Sequence, residues 1–141
     1  MPCTGQHQYM TNLEPGAIEL LEKPYHAVVS TKNADGAIHS TVVWANIEDG
    51  LPAVNSAVGR IWPTNLERDP HVTLLVVNPE NAYDYVEVRG VAEGSTEGAD
   101  EHIDRLAKKY LDADSYPFRK AEEQRVKYVI KPSHIRYVAP Q

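Results

Sequence analysis

The residues with the clearest chemical use lie between Val54 and Asn65. Asn55 and Ser56 end a strand-like run, Gly59 permits close backbone approach, and Arg60 brings a planar, forked cation. Pro63 fits the first turn of a helix, whose unpaired N–H groups and dipole favour an anion. Together these groups can form a phosphate cradle. They also read as a plain strand–turn–helix connection with a surface arginine. No Walker or Rossmann glycine pattern accompanies them, so by themselves the residues lean to the plainer reading.

Other candidates carry less. The six histidines, His7, His26, His39, His71, His102 and His134, show no i,i+2 or i,i+4 pair, so no local metal motif is present and structural or surface roles are expected. The single cysteine, Cys3, forms no intramolecular disulfide, and no Gly-x-Ser-x-Gly occurs to anchor a nucleophile. Trp44, Tyr83 and Tyr85 lie on strand-like segments, where they serve as cross-strand packing or as a platform for a planar ring. Tyr110, Leu111 and Leu106 read as helix core, and Asp100, Glu101 and Asp104 as a solvated first turn favoured by the helix dipole.

These groups sit on a chain of 141 residues, one domain by length. With 20 acidic and 14 basic residues the formal charge is −6, which excludes the simplest nucleic-acid binder with its basic footprint. Hydrophobic residues at 42% and charged residues at 24% exclude a disordered chain. Apolar windows are too short for a membrane helix, and no secretory signal opens the sequence, so a cytoplasmic location is expected.

The elements follow from punctuation and period. Residues 1–10 read as a loose arm and 11–141 as the domain. Thr11-Asn12-Leu13-Glu14 has capping-box spacing before a short helix that Pro24 stops. Strands are expected over Tyr25–Thr31, Ala37–Ile47 and Leu51–Ser56, joined by Asp35-Gly36 and Asp49-Gly50 turns into an antiparallel meander. A short helix runs from Pro63 to Arg68. Strands follow over His71–Val77 and Tyr83–Glu93, the second with Tyr83, Tyr85, Glu87 and Arg89 on one face. Ser95 or Thr96 can cap a helix over Gly98–Leu111. Arg125–Ile130 and His134–Val138 are final strand segments broken at Pro132. The sum is a mainly β protein, an antiparallel barrel with flanking helices.

Several of these residues form a known pattern in order: Thr41-Val42-Val43-Trp44, Asn55-Ser56, Gly59-Arg60, Asn65-Leu66-Glu67-Arg68-Asp69-Pro70 and Tyr85-Val86-Glu87-Val88-Arg89-Gly90. Over residues 13–138 the chain resembles the F420-dependent flavin/deazaflavin oxidoreductases of the pyridoxamine-phosphate-oxidase-like, split β-barrel superfamily. The resemblance implies a homodimer with cofactor grooves at its interface, holding coenzyme F420 or, alternatively, FMN. It implies phosphate contacts from Asn55, Ser56, Gly59 and Arg60, with Thr41, Val42, Val43 and Trp44 beside the ring. Trp62 and Asn65 fall in the same binding stretch, and Tyr83 and Tyr85 would come from the partner subunit.

Three departures stand out. The family's Arg-x-Lys is Arg60-Ile61-Trp62 here, Pro63 follows it and alters the helix start, and the family's common proline between Thr41 and Val43 is Val42. One missing cation at a charge-assisted phosphate contact costs ~1.5–3 kcal/mol, about one to two decades in affinity. The resulting expectation is an F420-dependent reductase that passes a hydride to an electron-poor organic acceptor. The alternatives are an FMN oxidoreductase of the same fold, or a dimeric, non-redox binder of a flavin, tetrapyrrole or lipophilic ligand.

Overall fold

The computed structural model describes residues 12–140. The expected N-terminal arm and the Thr11 end of the capping box lie outside them. Three helices, α1 (Pro15–Glu22), α2 (Ile61–Arg68) and α3 (Ala99–Leu111), accompany seven strands. The strands are β1 (Ala27–Lys32), β2 (Ile38–Val43), β3 (Ala45–Glu48), β4 (Leu51–Ala57), β5 (His71–Asn78), β6 (Asn81–Ser95) and β7 (Arg125–Val138). They form one sheet in the order β2-β1-β5-β6-β7-β4-β3, antiparallel at every pairing.

That order dictates the shape. β2 and β3 are the two edges of the sheet, yet only Trp44 separates them in sequence. Flat, seven strands at ~4.8 Å spacing would hold the edges about 29 Å apart. Two residue steps reach only about 7 Å. The sheet therefore curls until its edges meet, as a split β-barrel. The expected single strand over Ala37–Ile47 is corrected accordingly. It breaks at Trp44, and its halves pair with different neighbours, β1 on one side and β4 on the other.

The last strand is also corrected. Arg125–Val138 is one strand despite Pro132, because a bulge absorbs the proline. Arg89 pairs with His134 and Gly90 with Pro132, leaving Ser133 to donate its hydroxyl to the Arg89 carbonyl at 3.3 Å. The backbones approach closely here: a Cβ on Gly90 would stand 2.1 Å from the Lys131 carbonyl oxygen.

The barrel interior takes one face of each strand. Ala27 and Val29 of β1, Val72, Leu74 and Val76 of β5, and Val86 and Val88 of β6 are all buried, as period-2 alternation requires. α1 closes one end with Ala17, Leu20 and Leu21. In α3, Ala99, His102, Ile103, Leu106 and Ala107 are buried at helical spacing, with Asp100 and Glu101 in the first turn and Lys108 and Lys109 in the last, matching the helix dipole. Neither Ser95 nor Thr96 caps this helix. Its cap is Gly98, while the Ser95 hydroxyl accepts from the Glu97 N–H. No helix among the described residues is long and apolar enough to cross a membrane.

Gly90→Ala should lower stability by about 1–3 kcal/mol, since the β6–β7 ladder must spread to admit a methyl group. Urea denaturation checks this, and an unchanged midpoint would mean that the bulge is soft.

Candidate functional site

The end of β4 passes through a tight turn into α2. Gly59 stands at φ 96°, the left-handed region open to glycine. The Arg60 N–H donates to the Ala57 carbonyl at 3.2 Å, and the Arg60 carbonyl accepts from Thr64 in the first turn of α2. The Val58 N–H donates to the Gln124 carbonyl at 2.9 Å, which ties this turn to the entry of β7. The tie places Arg60 beside Glu123 and Arg125, distant in sequence. All three share one structure: Glu123 Oε2 accepts from Arg60 Nη2 at 2.8 Å, and Oε1 from Arg125 Nη1 at 2.8 Å. Burial by itself would push the Glu123 carboxyl up, but the Arg125 and Arg60 guanidiniums hold it below the usual carboxylate range. The Arg125 guanidinium also lies 5.1 Å over the Tyr116 ring.

Behind the arginines runs a buried polar relay. Asn55 Oδ1 accepts from Arg125 Nε at 3.0 Å, while Asn55 Nδ2 donates to the Ala99 carbonyl and to His102 Nδ1, each at 3.0 Å. His102 Nε2 then donates to Asn46 Oδ1 at 2.9 Å. This is the neutral tautomer with the proton on Nε2. Asn46 donates to Glu48, which is forked by Arg105 at 2.6 and 3.2 Å. Burial pushes the His102 imidazole down to about 4, with Arg105, Lys127 and Arg125 adding to the effect against the pull of Glu48. Among the described residues, no buried side-chain nitrogen or oxygen lacks a partner.

In front of the arginines opens a cleft of about 560 Å³. Its lining includes Thr41, Val42, Val43, Trp44, Asn55, Ser56, Gly59, Arg60 and Trp62, which the sequence also singles out. Trp44 stacks on Tyr110 with centroids 5.2 Å apart and planes 7° from parallel, and meets Tyr116 edge-on at 6.1 Å. Trp62 is buried and tilted against Tyr128 at 5.5 Å. It is chiefly a core residue whose edge reaches the cleft, so no cation stands where the resembled family has its lysine.

Three expected residues lie elsewhere. Asn65 is buried within α2 and donates to Thr31 Oγ1 at 3.0 Å and Asn33 Oδ1 at 2.8 Å, pinning the helix to β1. Tyr83, largely exposed, and Tyr85 sit on β6 away from the cleft lining of their own chain.

The sequence reading missed Arg125, Tyr116, Phe118, His26 and His39, all in the lining. The usable signal was Glu123 and Arg125, opposite charges two residues apart at a strand entrance. The acidic residues at the start of α3 are also more than a solvated turn. Arg119 bridges Asp100 and Asp104 at 2.8 and 2.6 Å, and Asp104 accepts from the Tyr116 N–H at 2.9 Å, pinning the loop that walls the cleft. Among the described residues, no three His, Cys, Asp or Glu side chains converge as a metal site.

The family model of pyridoxamine 5′-phosphate oxidase matches residues 13–139. No curated protein matches the sequence. Among solved structures, the chain is similar to an F420 reductase at 24% identity, with a TM-score of 0.77 over 88% of this chain and 98% of that one. It is similar to a conserved hypothetical protein of Mycobacterium tuberculosis at 20% identity, TM-score 0.71, covering 93% and 87%. General Stress Protein 26 of Bacillus anthracis str. Sterne aligns at 23% identity, TM-score 0.66, covering 89% and 93%. At these identities the structural likenesses establish the fold.

The relay makes stability depend on pH. The folded protein holds His102 neutral down to about pH 4, whereas an unfolded histidine protonates near 6.5. Its contribution is full above pH 6.5 and is lost as pH falls toward 4, a change of about 3 kcal/mol. Urea titrations from pH 7.5 to 4 should show the gap between wild type and His102→Gln closing over this window. Parallel curves would remove His102 from the account.

Proposed function

The chain belongs to the pyridoxamine 5′-phosphate oxidase family, and on that premise we propose that it is an F420-dependent oxidoreductase acting on an electron-poor organic substrate. One observation carries the reading. A single cleft joins an apolar wall, including Val43, Trp44 and Leu106, to a cationic end formed by Arg60 and Arg125. A planar ring with a phosphate-bearing tail needs both ends. The residues fit such a group, and Arg125 offers a second cation where Trp62 has replaced the expected lysine. The similarity to an F420 reductase favours the deazaflavin over FMN, the second reading, which the family's description keeps in view.

When bound, reduced F420 supplies a hydride to the acceptor. The protein's part is to bind, orient and exclude water. Arg60 anchors the anion with the N–H groups that Glu123 leaves free. Tyr116 and Phe118, on the loop pinned to α3, limit the cleft's exposure to water. His39 Nε2 and Thr41 Oγ1, 3.2 Å apart, supply polar atoms along an otherwise apolar wall.

The same proposal includes a homodimer. The outer face of β2, β1 and β5 aligns Val42, Val28 and Leu75 in one row across the strands, and Val42 also lines the cleft. Val42 is 65% exposed, with Leu75 and Val77 also exposed on this face. Such a surface suits a second copy through an isologous contact that would close the groove. Stable dimers of this kind bury more than ~2,000 Å².

Fluorescence titration should give micromolar or tighter binding of F420 and weaker binding of FMN. Arg60→Ala should weaken F420 by about one to two decades. Unchanged binding would remove Arg60 as the anchor, and the reverse cofactor preference would move the assignment to FMN. Sedimentation should give a dimer that Leu75→Glu dissociates. A wild-type monomer at micromolar concentration would break the shared-groove arrangement.

A further inference from the structure

Arg60 and Arg125 are, among the described residues, the side chains of fixed charge in the cleft lining. One carboxylate serves both. Glu123 divides its two oxygens between them, and its side chain is 8% exposed, so its charge is held close to the guanidiniums with little water to screen it. It stays ionised because both guanidiniums bond it. Two guanidiniums less one carboxylate leave a single net positive charge. Arg125 is fixed further by Asn55 and the Tyr116 ring, whereas the Arg60 side chain is 51% exposed and presents the rest of its fork to a ligand.

We propose that Glu123 sets the charge class of phosphate this cleft accepts, selecting a monoanionic phosphodiester over a dianionic phosphomonoester. The proposal rests on the cofactor reading above. A monoanion balances the single net charge. A dianion would leave one negative charge uncompensated beside a buried carboxylate, and desolvating it is costly. The two candidate cofactors differ in this respect: F420 carries its phosphate as a diester, whereas FMN ends in a monoester whose second ionisation lies near pH 6. Trp62 in place of a lysine acts in the same direction, by withholding a charge that a dianion would use. Glu123 is thus a specificity-determining residue that works through the arginines it holds.

The test rests on two ligands that share one ring and differ in phosphate charge, FMN and its methyl phosphodiester, with F420 beside them. FMN, its methyl phosphodiester and F420 are titrated at pH 8 and fixed salt against wild type and Glu123→Gln. The wild type should bind the methyl ester at least as tightly as FMN. In Glu123→Gln the ratio should shift about tenfold toward FMN. A merely structural role for Glu123 would weaken all three ligands together and leave the ratio unmoved, which would overturn the proposal. So would a wild type that prefers FMN to its methyl ester tenfold, a result that needs no variant to fold. Failure of all three ligands to bind the wild type would overturn the cofactor reading, and this inference with it.

Discussion

One residue closes this barrel. Trp44 alone connects the two edges of a seven-stranded sheet, and two residue steps cannot span a flat sheet of that width. Curling is therefore a condition of chain connectivity, and the interior follows from it. The curled inner face buries an apolar core from β1, β5 and β6, while α1 covers one end. The linking residue is itself held: Trp44 stacks on Tyr110, whose hydroxyl donates to the Tyr25 carbonyl at 2.6 Å and accepts from the Ala45 N–H at 3.1 Å. The point where the barrel closes is thus also a wall of the cleft.

The cationic end depends on a second constraint, the chain of polar partners that starts at Arg60 and Glu123. Arg125 is buried, and a buried guanidinium is tolerable only with its donors satisfied. Glu123 and Asn55 satisfy it, and Asn55 is in turn held by α3 through His102 and the Ala99 carbonyl. Both amide N–H groups of Asn55 are taken by the Ala99 carbonyl and His102. In the proposed cofactor reading the part of Asn55 is to fix Arg125, while the half-exposed Arg60 is the cation left open to an anion. Neutral His102 suits this arrangement, because burial and the charges of Arg105, Lys127 and Arg125 outweigh the pull of Glu48 toward a second cation there.

How much of this is legible in the residues varies by element. The Asp-Gly turns, the apolar face of α3 and the alternation of β6 follow from local period and turn chemistry, and each stands where expected. The stretch from Asn55 to Trp62 was recognisable as a strand running into a helix with an arginine at the junction, and it does line the cleft. Asn65 looks alike in sequence but points its amide at β1, because orientation around a helix depends on what the helix packs against.

What the sequence determined by itself is therefore local: the mainly β class, the turns, the amphipathic helix and one cation at a strand–helix junction. These depend on periodicity and backbone preference over a few residues. What only the tertiary structure decided is joint: the break at Trp44, the bulge that admits Pro132, and the meeting of Arg60, Glu123 and Arg125. Arg60 and Glu123 lie 63 residues apart and Asn55 and Arg125 lie 70 apart, so no local pattern couples them. Their contact is created when the curl of the sheet lays β4 beside β7, and the charge balance of the cleft is created with it.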